Sequence, residues 1–119
     1  MGIKIQTLEK TIETPKQIVK ISEELDQDFE RLTGIGILWT MGKKNRFLNT
    51  SLGGTELFPK NFPVAFLQSN TYVSPNDRFF NLNDKADGDK IELEYQDGGQ
   101  HAYYPYTLQI FLRLESDKN

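Results

Sequence analysis

Residues 14–34 read TPKQIVKISEELDQDFERLTG, and the fold turns on whether they coil or extend. As a helix, Thr14 is the N-cap, Pro15 takes the first helical position, Gln17 completes a capping box, and Gly34 stands where a C-cap glycine belongs. Ile18, Ile21, Leu25, Phe29 and Leu32 then share one apolar stripe. As strands, 11–13 and 17–21 pair across a turn at Thr14-Pro15-Lys16, and Phe29 to Trp39 becomes one long strand. The pattern favours a helix over about residues 15–33, whereas strands there give a larger all-β sandwich.

From Gly34 onward the grammar is that of strands and turns. Ile35, Ile37 and Trp39 alternate with Gly36 and Leu38, a turn signal follows at Gly42-Lys43-Lys44-Asn45, and Arg46 to Leu52 ends at Gly53-Gly54. Leu57 to Leu67 is apolar but carries Pro59 and Pro63, which cannot donate to a ladder, so it belongs at an edge or an irregular crossing. Thr71 to Val73 closes on the turn Ser74-Pro75-Asn76-Asp77. Arg78 to Leu82 and Lys90 to Tyr95 flank Asn83–Asp89, read as a hairpin turn; Ile91, Leu93 and Tyr95 face one way, Glu92 and Glu94 the other. After Asp97-Gly98-Gly99 comes the last strand, with Leu108, Ile110, Leu112 and Leu114 inward and Thr107, Gln109, Phe111 and Arg113 outward. Backward extension puts Tyr106, Tyr104 and Ala102 inside and Tyr103 outside. Short strands with turns about every ten residues indicate one mainly β domain over 1–119, an antiparallel sandwich or small barrel.

Composition narrows the function. The 119 residues carry 14 Lys plus Arg against 17 Asp plus Glu, a net charge of −3, which does not favour polyanions overall. With no cysteine and one histidine, thiolate chemistry is excluded and little remains for a metal site. The start, MGIKIQTLEKTIE, lacks the apolar core of a signal peptide, and no run approaches the ~18 apolar residues of a membrane helix. A soluble, cytoplasmic or virion-associated protein without membrane contact is expected.

No catalytic constellation stands out. Asn83–Glu94 fits a calcium-loop register in part, but Lys85 takes a ligand position and Glu94 sits on a strand. The acidic run 23–30 reads as a solvated face, since Leu25 and Phe29 interleave it. His101 would have to be the base of any triad, yet no Gly-x-Ser-x-Gly elbow exists and it sits in a glycine-rich loop, taken as a hairpin. The expectation is a non-enzyme without metal or cofactor. Two surfaces remain. Tyr103, Phe111 and Arg113 on the outer face suit a contact with another subunit or an assembly partner, because Phe111 is a large apolar group on a polar surface. Alternatively Lys43, Lys44 and Arg46 with Tyr103 form a local site for nucleic acid or carbohydrate on a small barrel.

The succession Leu25-Asp26-Gln27-Asp28-Phe29-Glu30-Arg31-Leu32-Thr33-Gly34-Ile35, then Gly54-Thr55-Glu56-Leu57-Phe58-Pro59, then Tyr106 to Leu114, resembles small β-sandwich structural proteins of bacterial viruses. The resemblance spans most of the chain and carries no catalytic residue. It implies a jelly-roll-like capsid, spike or vertex component that works by assembling as a homo-oligomer or with partner proteins, and strands rather than a helix before Gly34.

Overall fold

The structure, a computed structural model, describes residues 2–38, 44–69 and 79–116. Its strands are β1 (Gly2–Ile12), β2 (Ile18–Glu24), β3 (Arg31–Leu38), β4 (Arg46–Leu52), β5 (Thr55–Glu56), β6 (Phe62–Pro63), β7 (Gln68–Ser69), β8 (Phe80–Lys85), β9 (Lys90–Gln96) and β10 (Tyr106–Ser116), with a 3-10 turn at Val64–Phe66. They form two sheets. The first runs β1-β10-β3, with β7 and β8 both beyond β3; the second runs β2-β9-β4, with β5 and β6 beyond β4.

The antiparallel pairings are nested: β1 with β10, β2 with β9, β3 with β8, β4 with β5. This is one long antiparallel hairpin, rolled until β10 also meets β3 and β9 also meets β4. Rolling a hairpin in this way makes a jelly-roll sandwich. Its core lies between the sheets, where Leu108, Ile110, Leu112 and Leu114 of β10 and Ile35 and Ile37 of β3 meet Ile91, Leu93 and Tyr95 of β9 and Phe47 of β4, all at most 2% exposed.

The helix expected over residues 15–33 is absent; β2, a loop and the start of β3 occupy that stretch. The Gln17 side chain does bind the preceding backbone, its Oε1 accepting from Glu13 N at 2.6 Å and Thr14 N at 3.2 Å. Lys16, however, adopts φ 64, which closes a turn instead of opening a helix. Beyond it the β-branched residues alternate, Val19 and Ile21 buried and Ile18 51% exposed, and the pairing with β9 suits their stiff side chains better than a helix would. Residues 11–12 and 18–21 are in strands, but they do not pair as a hairpin: β1 lies in the first sheet and β2 in the second. Residues 2–10, which show no clear element in the sequence, form most of β1.

Other differences have equally local causes. Leu32 and Ile35 both face inward although they are three apart, because the register of β3 slips at Thr33 against both β10 and β8. Residues 86–89 and 97–105 cross from one sheet to the other instead of closing hairpins. Ala102 is exposed, not inward, since the alternation of β10 begins only at Tyr106. The prolines at 59 and 63 do sit in the irregular edge, with Pro63 paired to Arg46 at the rim of the second sheet. Trp39, the Gly42-Lys43 turn and the segment Thr71 to Arg78 lie outside the described residues.

Candidate interaction surfaces

The crossing 97–105 carries Tyr103, and its shape is set by one buried carboxylate. Asp97, 1% exposed, accepts hydrogen bonds from Lys16 N (3.0 Å), Gly99 N (2.8 Å) and Tyr104 Oη (2.6 Å) on Oδ2, and from Tyr106 Oη (2.5 Å) on Oδ1. Because the Tyr106 proton goes to Asp97, the Tyr95 hydroxyl 2.8 Å away donates to Tyr106. Burial opposes charge on Asp97, but the four donors outweigh it and hold the carboxyl below its ordinary range. Burial, reinforced by hydrogen bonding to that carboxylate, raises the hydroxyls of Tyr104 and Tyr106 above the usual tyrosine range.

The same end gathers the basic residues. Gly98 N donates to Asn45 Oδ1 at 2.7 Å, and a Cβ on Gly98 would lie 2.7 Å from the Lys44 carbonyl carbon. Only glycine permits this approach of two backbones. Gly98→Ala is expected to cost about 2 kcal/mol, read as a lowered urea midpoint, because the obstacle is main chain and not a mobile side chain. Lys44 and Arg46, both exposed, thus share one end of the sandwich with Tyr103, which is 78% exposed. His101 stacks on the Tyr106 ring at 4.1 Å between centroids and 10° between planes. Lys43 lies outside the described residues.

Phe111 and Arg113 are elsewhere, on the outer face of the first sheet. Phe111 stands half-buried in mid-β10, opposite Thr7 of β1 and Gly36 of β3. Arg113 lies across the sheet: its Nε donates to Thr33 Oγ1 (3.1 Å), and its Nη2 to the Thr33 carbonyl (2.7 Å) and to Asn81 Oδ1 (3.0 Å). Its guanidinium sits 5.2 Å from the Phe79 ring centroid and would crowd a Cβ at Gly34 at 3.1 Å. Arg113 is a strap across β3 and β8 that exploits the carbonyl turned out by the bulge. Tyr103 therefore does not join Phe111 and Arg113 in one patch, since β10 alone separates Tyr106 from Phe111 by about 17 Å.

What sequence inspection misses is β1. Ile3 is 63% and Ile5 45% exposed on the same outer face, with Ile5 opposite Arg113 and diagonal to Phe111. Among the described residues no strand pairs with the other edge of β1. The signal present in the sequence is the Ile3-Lys4-Ile5 alternation, which by itself does not say which side of the strand is buried. The outer face of the second sheet is different in kind: Lys20, Ser22, Asn49, Ser51, Glu92 and Glu94 line a shallow polar groove. Among the described residues no group of three His, Cys, Asp or Glu side chains is placed to hold a metal ion, and no helix is long and apolar enough to cross a membrane. No family model, curated protein or solved structure matches the chain significantly.

Proposed function

We propose that this chain is a non-catalytic assembly module, of the kind that builds capsid-associated or spike structures in bacterial viruses, and that it works by self-association. The observation that carries the reading is the edge strand β1, which among the described residues pairs with β10 alone and exposes Ile3 and Ile5 beside the half-buried Phe111 on the outer face of the first sheet. Soluble proteins blunt their edge strands, and an eleven-residue edge with two exposed isoleucines invites pairing. A two-fold antiparallel pairing of β1 with β1 of a second copy, centred on Ile5, sets Ile5 against Ile5, Ile3 against Thr7 and Lys4 against Gln6. No like charges then stand opposite one another. The jelly-roll topology is compatible with such a role but does not by itself confer it.

Ile5→Lys places two lysines face to face at the centre of that pairing. Light scattering at about 0.5 M salt, where charge contacts are screened, is expected to show a concentration-dependent oligomer for the unaltered chain and a monomer for the variant; a chain that stays monomeric into the millimolar range removes the reading. The second reading, a nucleic-acid or carbohydrate site, draws on Lys44, Arg46 and Tyr103 sharing one end. It requires salt-dependent binding of single-stranded oligonucleotides that Lys44→Glu with Arg46→Glu abolishes.

A further inference from the structure

The charges of the chain are sorted by end. At one end, the backbones of the loops interlock, Leu25 N donating to Asp89 O (3.0 Å), Ala86 N to Glu30 O (2.6 Å) and Gly53 N to Lys90 O (3.0 Å). Segments 23–31 and 84–90 of this end hold eight carboxylates against three cations. At the other end, the loop bonds from Lys16 N to Asp97 and from Gly98 N to Asn45 join the crossings around residues 16, 45 and 98. Among the described residues the exposed cations there are Lys16, Lys44, Arg46 and Lys60, the exposed acid of the same loops is Glu13, and the carboxylate of Asp97 is buried and saturated by donors. Tyr103 projects from this basic end, a residue type favoured as an interface anchor.

The two ends are held apart by the length of β1 and β10. Eleven residues each, at about 3.3 Å per residue, separate them by roughly 35 Å, several times the ~8 Å over which charges are screened at physiological salt. The poles therefore cannot neutralise one another within a chain. They can do so between chains.

We infer that copies of this chain associate head to tail, the basic end carrying Lys16, Lys44, Arg46 and Tyr103 docking on the acidic end of the next copy. This rests on the reading of the chain as self-associating and adds a second, independent contact. Such a contact is heterologous, so it propagates into a ring or an open filament, whereas the β1 pairing closes on itself. A second copy is favoured over nucleic acid as the occupant of the basic end because the chain itself supplies the complementary surface, while its overall charge is −3.

The test uses two charge-reversed variants, Lys16→Glu/Lys44→Glu/Arg46→Glu and Glu23→Lys/Glu24→Lys/Asp28→Lys/Glu56→Lys, each also carrying Ile5→Lys to remove the β1 contact; Glu56 joins the acidic end through the pairing of β5 with the end of β4. All of these pole positions are exposed, and circular dichroism checks the fold. By sedimentation velocity at low salt, the Ile5→Lys parent should associate, and each reversed variant alone at least tenfold less. An equimolar mixture of the two should recover association, because one then has two acidic ends and the other two basic ends. Raising the salt to about 0.5 M should disperse both the parent and the mixture. A mixture that stays monomeric, or a parent whose association ignores salt, overturns the inference. So does a parent that binds single-stranded oligonucleotide at its basic end and does not self-associate. Loss of all association on Ile5→Lys alone would leave the proposed function standing and remove only the head-to-tail contact.

Discussion

Asp97→Ala is expected to lower the stability of the protein by about 4 kcal/mol, measured as a fall in the urea midpoint with the slope unchanged. Two tyrosine hydroxyls and two main-chain N–H groups converge on the carboxylate. Its removal leaves the buried Tyr106 hydroxyl without its acceptor and frees the 97–105 crossing from residue 16. Asp97→Asn keeps one acceptor oxygen and should cost roughly half as much, and Tyr106→Phe about 1–2 kcal/mol. The effect has a pH signature with a definite sign. Because the folded carboxyl titrates below its ordinary 3.8, the stabilisation is complete above that value and is lost as pH falls through the lower, folded value. The unaltered protein should therefore weaken below about pH 4, and the gap between it and Asp97→Ala should narrow there.

Phe47→Ala should cost a similar amount, about 4 kcal/mol, or some 15 °C in melting temperature for a domain of this size. Phe47 is fully buried on β4 and meets Tyr95, its register partner on β9, edge-on at 5.9 Å between centroids. The cavity would open between the sheets where the second sheet supports Tyr95, whose hydroxyl donates into the Asp97 cluster. The two substitutions share that neighbour, so the double variant should lose less than the sum of the singles. Strict additivity would mean that the aromatic packing and the polar cluster are independent.

The parts of this fold that could be read from residues alone are those where one face meets the core and the other meets solvent. β9 and β10 are central strands of that type, and their alternation predicts burial residue by residue from Ile91 to Tyr95 and from Tyr106 to Leu114. β1 defeats the same method. Lys4, Gln6 and Lys10 share a side with Leu8 and Ile12, because that strand runs along the sandwich edge where Lys4 reaches Asp26 and Gln6 reaches Glu24, so Ile3 and Ile5 are left outside. The turns at 83–89 and 97–99 are marked by Asp and Gly, but nothing local distinguishes a hairpin from a crossing between sheets. Only the nested pairing of distant strands decides that. For the surfaces, the outward position of Phe111 followed from period-two alternation. The strapping of Arg113 did not, since it depends on the carbonyl of Thr33, which a bulge turns outward. Asp97, ahead of two glycines, reads as a turn residue until the fold brings Tyr104 and Tyr106 back to it. The charge poles are likewise invisible in a net charge of −3, because loops far apart in sequence supply each of them.

The central claim is that this chain acts by binding copies of itself. Sedimentation velocity of the purified protein from micromolar to millimolar concentration, with Ile5→Lys run in parallel, addresses it most directly. The account predicts that the unaltered chain shifts to larger species as concentration rises and that Ile5→Lys shifts the equilibrium back toward monomer. A single monomeric boundary for the unaltered chain at every concentration would contradict it.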